Sequence, residues 1–248
     1  MPYQKQSILL RKPFLWVALL SFALLFTACG ASKRPQEVES TVLQFNTPQN
    51  GDTVAIIETN KGTIKIVLYP SLAPVAVDNF IRLSENGYYE GTTFHRIVKD
   101  FIIQGGDPTG TGSGGMSVWG GYFDVEISGQ LHNYSGAVGM ASTSNGNGSQ
   151  FYIVQTPSDS VSDTMIEQLQ SAGYTQDVID TYLQVGGVPY LDNGYTIFGQ
   201  VYEGMDVVDK IASASTDDRE KPKKDIVVQS ITISTYDDGV TATNSEEA

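Results

Sequence analysis

The chain has 248 residues, 40% of them hydrophobic, and carries 15 basic against 28 acidic side chains for a net charge of −13. That length suits one large domain or two small ones with enough chain to bury a core, and the acidity argues against binding to a phosphate backbone, which needs clustered Lys and Arg. A single cysteine, Cys29, excludes an internal disulfide and a CxxC metal site, and two histidines, His95 and His132, are too few for a His-rich metal centre.

In chain order, residues 1–12 carry Lys5, Arg11 and Lys12, and residues 13–28 (PFLWVALLSFALLFTA) are almost wholly apolar. This run is short for a helix crossing roughly 30 Å of hydrocarbon, which needs about 20 residues. A basic start, a short apolar core and a small residue before the cut describe a signal peptide over 1–28. Thr27-Ala28-Cys29-Gly30 resembles the lipobox of bacterial lipoproteins, with Phe26 where Leu is usual. The resemblance implies diacylglycerol on the Cys29 sulfur and cleavage just before it. The competing reading is an uncleaved anchor with an incidental cysteine. Both place the following domain on the outer face of the cytoplasmic membrane. Residues 29–50 are polar with few large apolar groups and read as a flexible tether.

A domain is expected over 51–236. Thr53–Thr59 and Thr63–Tyr69 are β-branched runs around Asn60-Lys61-Gly62, a hairpin signal, with Ile64, Ile66 and Leu68 on one face. Ala73–Leu83 reads as a helix with Pro74 at its first position and Gly87 beyond its end. Short strands are predicted at Thr92–Val98, Phe101–Gln104, Gly136–Ala141, Gln150–Gln155, Thr196–Val201 and Asp225–Ser234, separated by glycine-rich loops; such spacing suggests a barrel or sandwich. Residues 204–213 form a second core helix. Residues 158–187 read as a helical insertion, with one helix near Thr164–Leu169 and another started by Thr175 and carrying Val178, Ile179, Tyr182 and Leu183. That stripe is expected to pack on its own domain rather than on a partner. Residues 237–248 read as a disordered acidic tail.

Two segments decide the function: Phe94-His95-Arg96-Ile97-Val98-Lys99-Asp100-Phe101-Ile102-Ile103-Gln104-Gly105-Gly106-Asp107, and Gly139-Met140-Ala141-Ser142-Thr143-Ser144-Asn145-Gly146-Asn147-Gly148-Ser149-Gln150-Phe151-Tyr152-Ile153. They closely resemble the two signature stretches of the cyclophilins, and a third, Tyr190-Leu191-Asp192-Asn193-Gly194-Tyr195-Thr196-Ile197-Phe198-Gly199, agrees in order and type. The resemblance runs from about Thr53 to Ser234. It implies a mainly β fold, a closed eight-stranded antiparallel barrel capped by two helices, with a substrate groove on its outer face. Carried over by position, Arg96 is the catalytic arginine; Phe101, Ile102, Tyr152, Leu191 and Tyr195 line a proline pocket; Gln104 and Gln150 are polar groove residues; Ala141 and Ser142 offer backbone to the peptide. Ser142 stands where many relatives have Asn, Tyr152 for a common Phe, Tyr190 for a Trp and Tyr195 for a His. The aromatic changes keep ring surface, and loss of the Trp bears on cyclosporin-type inhibitors more than on catalysis.

The chemistry needs no nucleophile, metal or cofactor, because no bond is broken. Rotation about a peptide bond costs about 18–20 kcal/mol through amide resonance, and X–Pro isomers exchange in tens to hundreds of seconds. A twisted imide regains its nitrogen lone pair and can accept a hydrogen bond, which a permanently charged Arg supplies. His95 and His132 are read as structural. Gly110-Thr111-Gly112-Ser113-Gly114-Gly115 matches a dinucleotide fingerprint in form, but no helix follows, and it reads as a surface loop. The expected function is therefore a peptidyl-prolyl isomerase for exported, proline-containing polypeptides, monomeric and membrane-anchored by lipid. The rival reading is a non-catalytic peptide-binding holdase or adhesin.

Overall fold

The computed structural model describes residues 41–239; the expected signal segment, Cys29 with its expected lipid, most of the expected tether and the end of the acidic tail lie outside them. Eight strands form one antiparallel sheet: β1 (Thr53–Thr59), β2 (Gly62–Leu68), β3 (Arg96–Val98), β4 (Ile102–Gly105), β5 (Ala137–Met140), β6 (Phe151–Val154), β7 (Ile197–Glu203) and β8 (Val228–Thr235). Their hydrogen-bonded order is β3-β4-β6-β5-β7-β2-β1-β8.

The sheet curls around a core in which Ile64, Ile66 and Leu68, placed on one face by their alternation, take part. Ala55, Ile57, Ile64, Ile66, Ile103, Phe151 and Ile153 point inward and are fully buried. The helix α1 (Pro74–Glu85) lays Ala76, Val77, Phe80 and Leu83 onto this core, and α4 (Met205–Ala212) adds Val208, Ile211 and Ala212. Phe80 sits at the centre, its ring 5.1–5.6 Å from those of Tyr89, Phe151 and Phe198. Edge-on and tilted aromatic contacts of this kind add to the area they bury.

Closure of the barrel is where the expectation needs correcting. The order ends at β3 and β8, and no ladder joins these two edges among the described residues. They approach through an isolated bridge, Thr93 to Val227, and single bonds such as Phe94 N–H to Ile226 O at 2.9 Å. The predicted strand Thr92–Val98 accordingly shrinks to Arg96–Val98, because its first half crosses between edges instead of running along one. The result is a curled, open half-barrel.

The insertion is helical as expected, with α2 (Asp163–Ser171) and α3 (Gln176–Val185). Ser162 caps α2 by accepting Met165 N–H, whereas Thr175 precedes α3 without a side-chain cap bond. Ile179 and Tyr182 of the α3 stripe are buried on Tyr134, while Leu183 stays exposed. Within residues 41–50, the end of the stretch read as tether, Val42, Gln44 and Pro48 are buried. Val42 and Phe45 join the insertion's apolar cluster, and the side chain of buried Gln44 donates to His132 O at 2.9 Å and accepts from His132 N–H at 2.7 Å. Polar composition concealed this, because the apolar surface that receives Val42 and Phe45 belongs to residues more than eighty positions away.

Candidate active site

Register brings the expected residues together. Arg96 on β3 pairs with Gln104 on β4, Gln104 with Tyr152 on β6, and Tyr152 with Gly139 on β5. Paired residues of an antiparallel sheet project to the same face, about 5 Å apart. Ile102 precedes Gln104 by two and shares that face. The outer face of β3, β4, β6 and β5 thus carries a line of Arg, Gln and Tyr.

Beside that line lies a second apolar cluster, separate from the core. Ile102 and Tyr152 are buried in it, and Phe101, Ala141, Leu191 and Tyr195 pack against it partly exposed. The ring of Tyr152 meets Tyr195 edge-on at 6.0 Å, and Phe101 stacks on Tyr190 at 6.2 Å with 18° between planes. Tyr190 itself is 68% exposed and stands at the rim. Gly139 makes this arrangement possible, since a Cβ there would sit 2.5 Å from the Tyr152 ring and hydroxyl. Burial pushes the Tyr152 phenol pKa well above its usual value, and the hydroxyl donates to Asn133 Oδ1 at 2.7 Å.

The polar residues form a relay. Gln150 donates through Nε2 to Gly112 O at 3.1 Å and Gly114 O at 2.7 Å, and its Oε1 accepts from Gln104 Nε2 at 2.9 Å. Gln104 Oε1 in turn lies 3.5 Å from Arg96 Nη1, a long contact. Arg96 Nε is held by Glu220 Oε2 at 2.6 Å. Ala141 N–H is committed to Gln150 O at 2.9 Å, and the Ser142 hydroxyl turns to Asn147 Oδ1. His95, beside Arg96, is buried, and burial lowers its pKa.

The glycine run 110–115 has a reason to exist here. Asp107 is fully buried and accepts from Thr109 N–H and hydroxyl, Gly112 N–H and Gly114 N–H at 2.7–3.1 Å. A side chain at Gly114 would collide with the Asp107 carboxylate. Burial alone would raise the Asp107 pKa, but these donors outweigh it and lower it from 3.8 to about 2. A depressed carboxylate stabilises the fold above its unfolded pKa and loses that contribution as pH falls through its folded value. The native chain is therefore expected to lose stability between about pH 4 and pH 2 through this group. Asp107→Asn, which orphans some of the donors, should cost roughly 1–3 kcal/mol at pH 7. Urea midpoints measured from pH 7 to pH 2.5 check this: the gap between the two chains should narrow below pH 4, and a constant gap would remove Asp107 as its source.

A third network ties the insertion to the segment that carries Leu191 and Tyr195. The Asp192 carboxylate is 1% exposed. Its Oδ1 accepts from Asn133 N–H and Nδ2, and its Oδ2 from the hydroxyls of Tyr174 and Tyr182, with His132 Nδ1 at 2.9 Å. Asp192 follows Tyr190 and Leu191 directly, so the insertion's tyrosines brace the segment that packs Leu191 against the second apolar cluster. His132 is structural here, as expected.

All the expected domain residues except Cys29, which lies outside the described region, fall on or beside this face. Sequence reasoning assigned nothing to Glu220, Asn133, Asp192 or Asp107. Only Asp107 carried a usable signal, an Asp followed by Thr109, Thr111 and glycines, which is the composition of a side-chain-closed turn.

Comparison with known proteins agrees with this geometry. The family model for cyclophilin type peptidyl-prolyl cis-trans isomerase/CLD matches residues 54–233. A protein of Staphylococcus aureus (strain USA300) named "Putative peptidyl-prolyl cis-trans isomerase" is 44% identical over 186 residues, covering 75% of this chain and 93% of its own. Its namesake in Staphylococcus saprophyticus is 43% identical over 192 residues, covering 77% and 96%. Among solved structures, a cyclophilin type peptidyl-prolyl cis-trans isomerase of Cryptosporidium parvum superposes with a TM-score of 0.60 at 34% identity, covering 75% of this chain and 99% of that one. The same protein in the presence of the dipeptide Ala-Pro gives 0.59 at 36% identity, covering 74% and 99%. The family match over most of the domain and the identity of these relatives show that the chain belongs to the cyclophilin-type peptidyl-prolyl cis-trans isomerases and has their activity.

Proposed function

We propose that this isomerase works on proline-containing segments of exported polypeptides, on the outer face of the cytoplasmic membrane, held there by lipid on Cys29. The observation that carries the catalytic reading is the shared face of Arg96, Gln104 and Tyr152, in register across three strands and flanked by the Phe101/Ile102/Leu191/Tyr195 cluster. The proline ring sits against Tyr152, Phe101 and Ile102, and the chain before it turns. As the imide twists, its nitrogen pyramidalises and accepts from the Arg96 guanidinium. Only the twisted state has that lone pair to offer, so the contact favours the transition state over either planar isomer. The apolar wall excludes water, which would favour the planar, dipolar amide. Each tenfold of rate takes about 1.4 kcal/mol, so one charged donor and a dry pocket yield several decades.

The placement rests on the basic-apolar-Cys29 start of the chain. Newly translocated chains meet slow proline steps there. The full-length protein is expected to take up radiolabelled palmitate and sediment with membranes. Cys29→Ser should carry no label, while both forms accelerate cis-to-trans exchange in a proline tetrapeptide. Equal labelling of the two forms would rule out the anchor, and an exchange rate equal to the uncatalysed control would leave a peptide-binding groove without turnover.

A further inference from the structure

The loop between α4 and β8 reaches back to the catalytic arginine, and one residue on it is held in a backbone conformation that its type disfavours. Glu220 has φ of 65°, the left-handed region where a side chain is crowded against its own carbonyl. Such strain persists only where surrounding structure over-determines it, and it collects at functional sites. Here the surroundings are explicit. Glu220 N–H donates to Asp217 O at 3.0 Å, Asp217 Oδ1 accepts from Arg219 and Lys221 N–H, and Thr216 bridges to Pro222. Glu220 O accepts from Ile97 N–H at 2.8 Å, which fastens the loop to β3 one residue past Arg96. The left-handed turn aims the Glu220 side chain at Arg96, where Oε2 takes the Nε–H at 2.6 Å.

From this geometry we infer that Glu220 is a positioning residue for the reaction: it engages the inner edge of the Arg96 guanidinium so that the terminal N–H groups face the twisting imide. Arg96 is more than a third exposed, and beside the bond to Glu220 its side chain makes the long hydrogen bond to Gln104. A long, exposed arginine otherwise samples many rotamers, and a donor that must be re-aimed in each turnover stabilises the transition state less. A planar guanidinium bound at Nε has its fork oriented without its outer edge being used. The exposed ion pair contributes little to stability, so its value lies in aim. The inference rests on Arg96 being the donor to the imide.

Glu220→Gly separates aim from structure. Glycine adopts the left-handed conformation freely, so the loop should be at least as stable as in the native chain, with an unchanged or higher Tm. Turnover should still fall, with kcat for a proline tetrapeptide down about tenfold and KM within twofold. Glu220→Gln, which keeps an acceptor for Nε, should recover most of that loss. In an Arg96→Ala background, Glu220→Gly should have no further effect. Native kcat in Glu220→Gly while Arg96→Ala is inactive would overturn the role of Glu220 and leave that of Arg96 standing. Native turnover in Arg96→Ala would overturn the role of Arg96, and this inference with it.

Discussion

Replacing Arg96 by alanine is expected to lower kcat/KM for a proline tetrapeptide by about 10²–10³-fold, the loss that follows removal of one preorganised donor from a developing charge. The loss should fall on kcat, because the planar ground state has no nitrogen lone pair for Arg96 to bind and the ring's apolar contacts remain. Arg96 lies on a three-residue strand at the sheet edge with its side chain partly exposed, so the fold should be untouched. Far-UV circular dichroism and thermal unfolding then match the native chain, with Tm shifted by no more than a few degrees. Arg96→Lys should recover little. A flexible ammonium keeps the charge but loses the planar fork that Glu220 engages on one edge and the imide on the other. Near-native turnover in Arg96→Ala would mean that the pocket alone carries catalysis.

The largest effect on stability is expected from Asp192→Ala. The buried carboxylate gathers two donors from Asn133 and the hydroxyls of Tyr174 and Tyr182, and it holds His132. Removing it leaves several buried polar groups unsatisfied, a loss of about 3–5 kcal/mol after partial relaxation. For a domain of this size that corresponds to a drop in Tm of roughly 10 °C. Function should respond differently from the Arg96 variant. Tyr190 and Leu191 precede Asp192 and Tyr195 follows it, so loosening this turn blurs the pocket wall and should raise KM severalfold with a smaller change in kcat. Asp192→Asn, which keeps one acceptor oxygen, should lie between the two. Differential scanning calorimetry beside steady-state kinetics checks both. An Asp192→Ala chain with native Tm would show that the insertion is not braced through this carboxylate.

How far the sequence could be read depends on the range of the interaction concerned. The strand Thr53–Thr59 was bounded to the residue, because β-branched alternation and a flanking turn are local properties. The candidate site residues came from the resemblance to the cyclophilin motifs, carried over by position. Arg96, Phe101, Ile102 and Gln104 lie within one strand-turn-strand, and the spacing of two that puts Ile102 and Gln104 on one face is visible in the sequence. The glycine run was rightly read as a loop, but its purpose was hidden until Asp107 was seen at its centre.

The sequence by itself determined the first hairpin, the two packing helices, the helical insertion and, through its motifs, the family. Tertiary structure alone decided that the sheet stays open, that Val42 and Phe45 pack onto the insertion, that Asp192 joins the insertion's tyrosines to Asn133 and His132, and that Glu220 meets Arg96. The physical reason is the same in each case. A strand or helix declares itself through the periodicity of near neighbours, whereas a hydrogen bond between side chains 124 residues apart leaves no periodic trace in either segment. Such pairs exist only once the whole sheet has brought their backbones within reach.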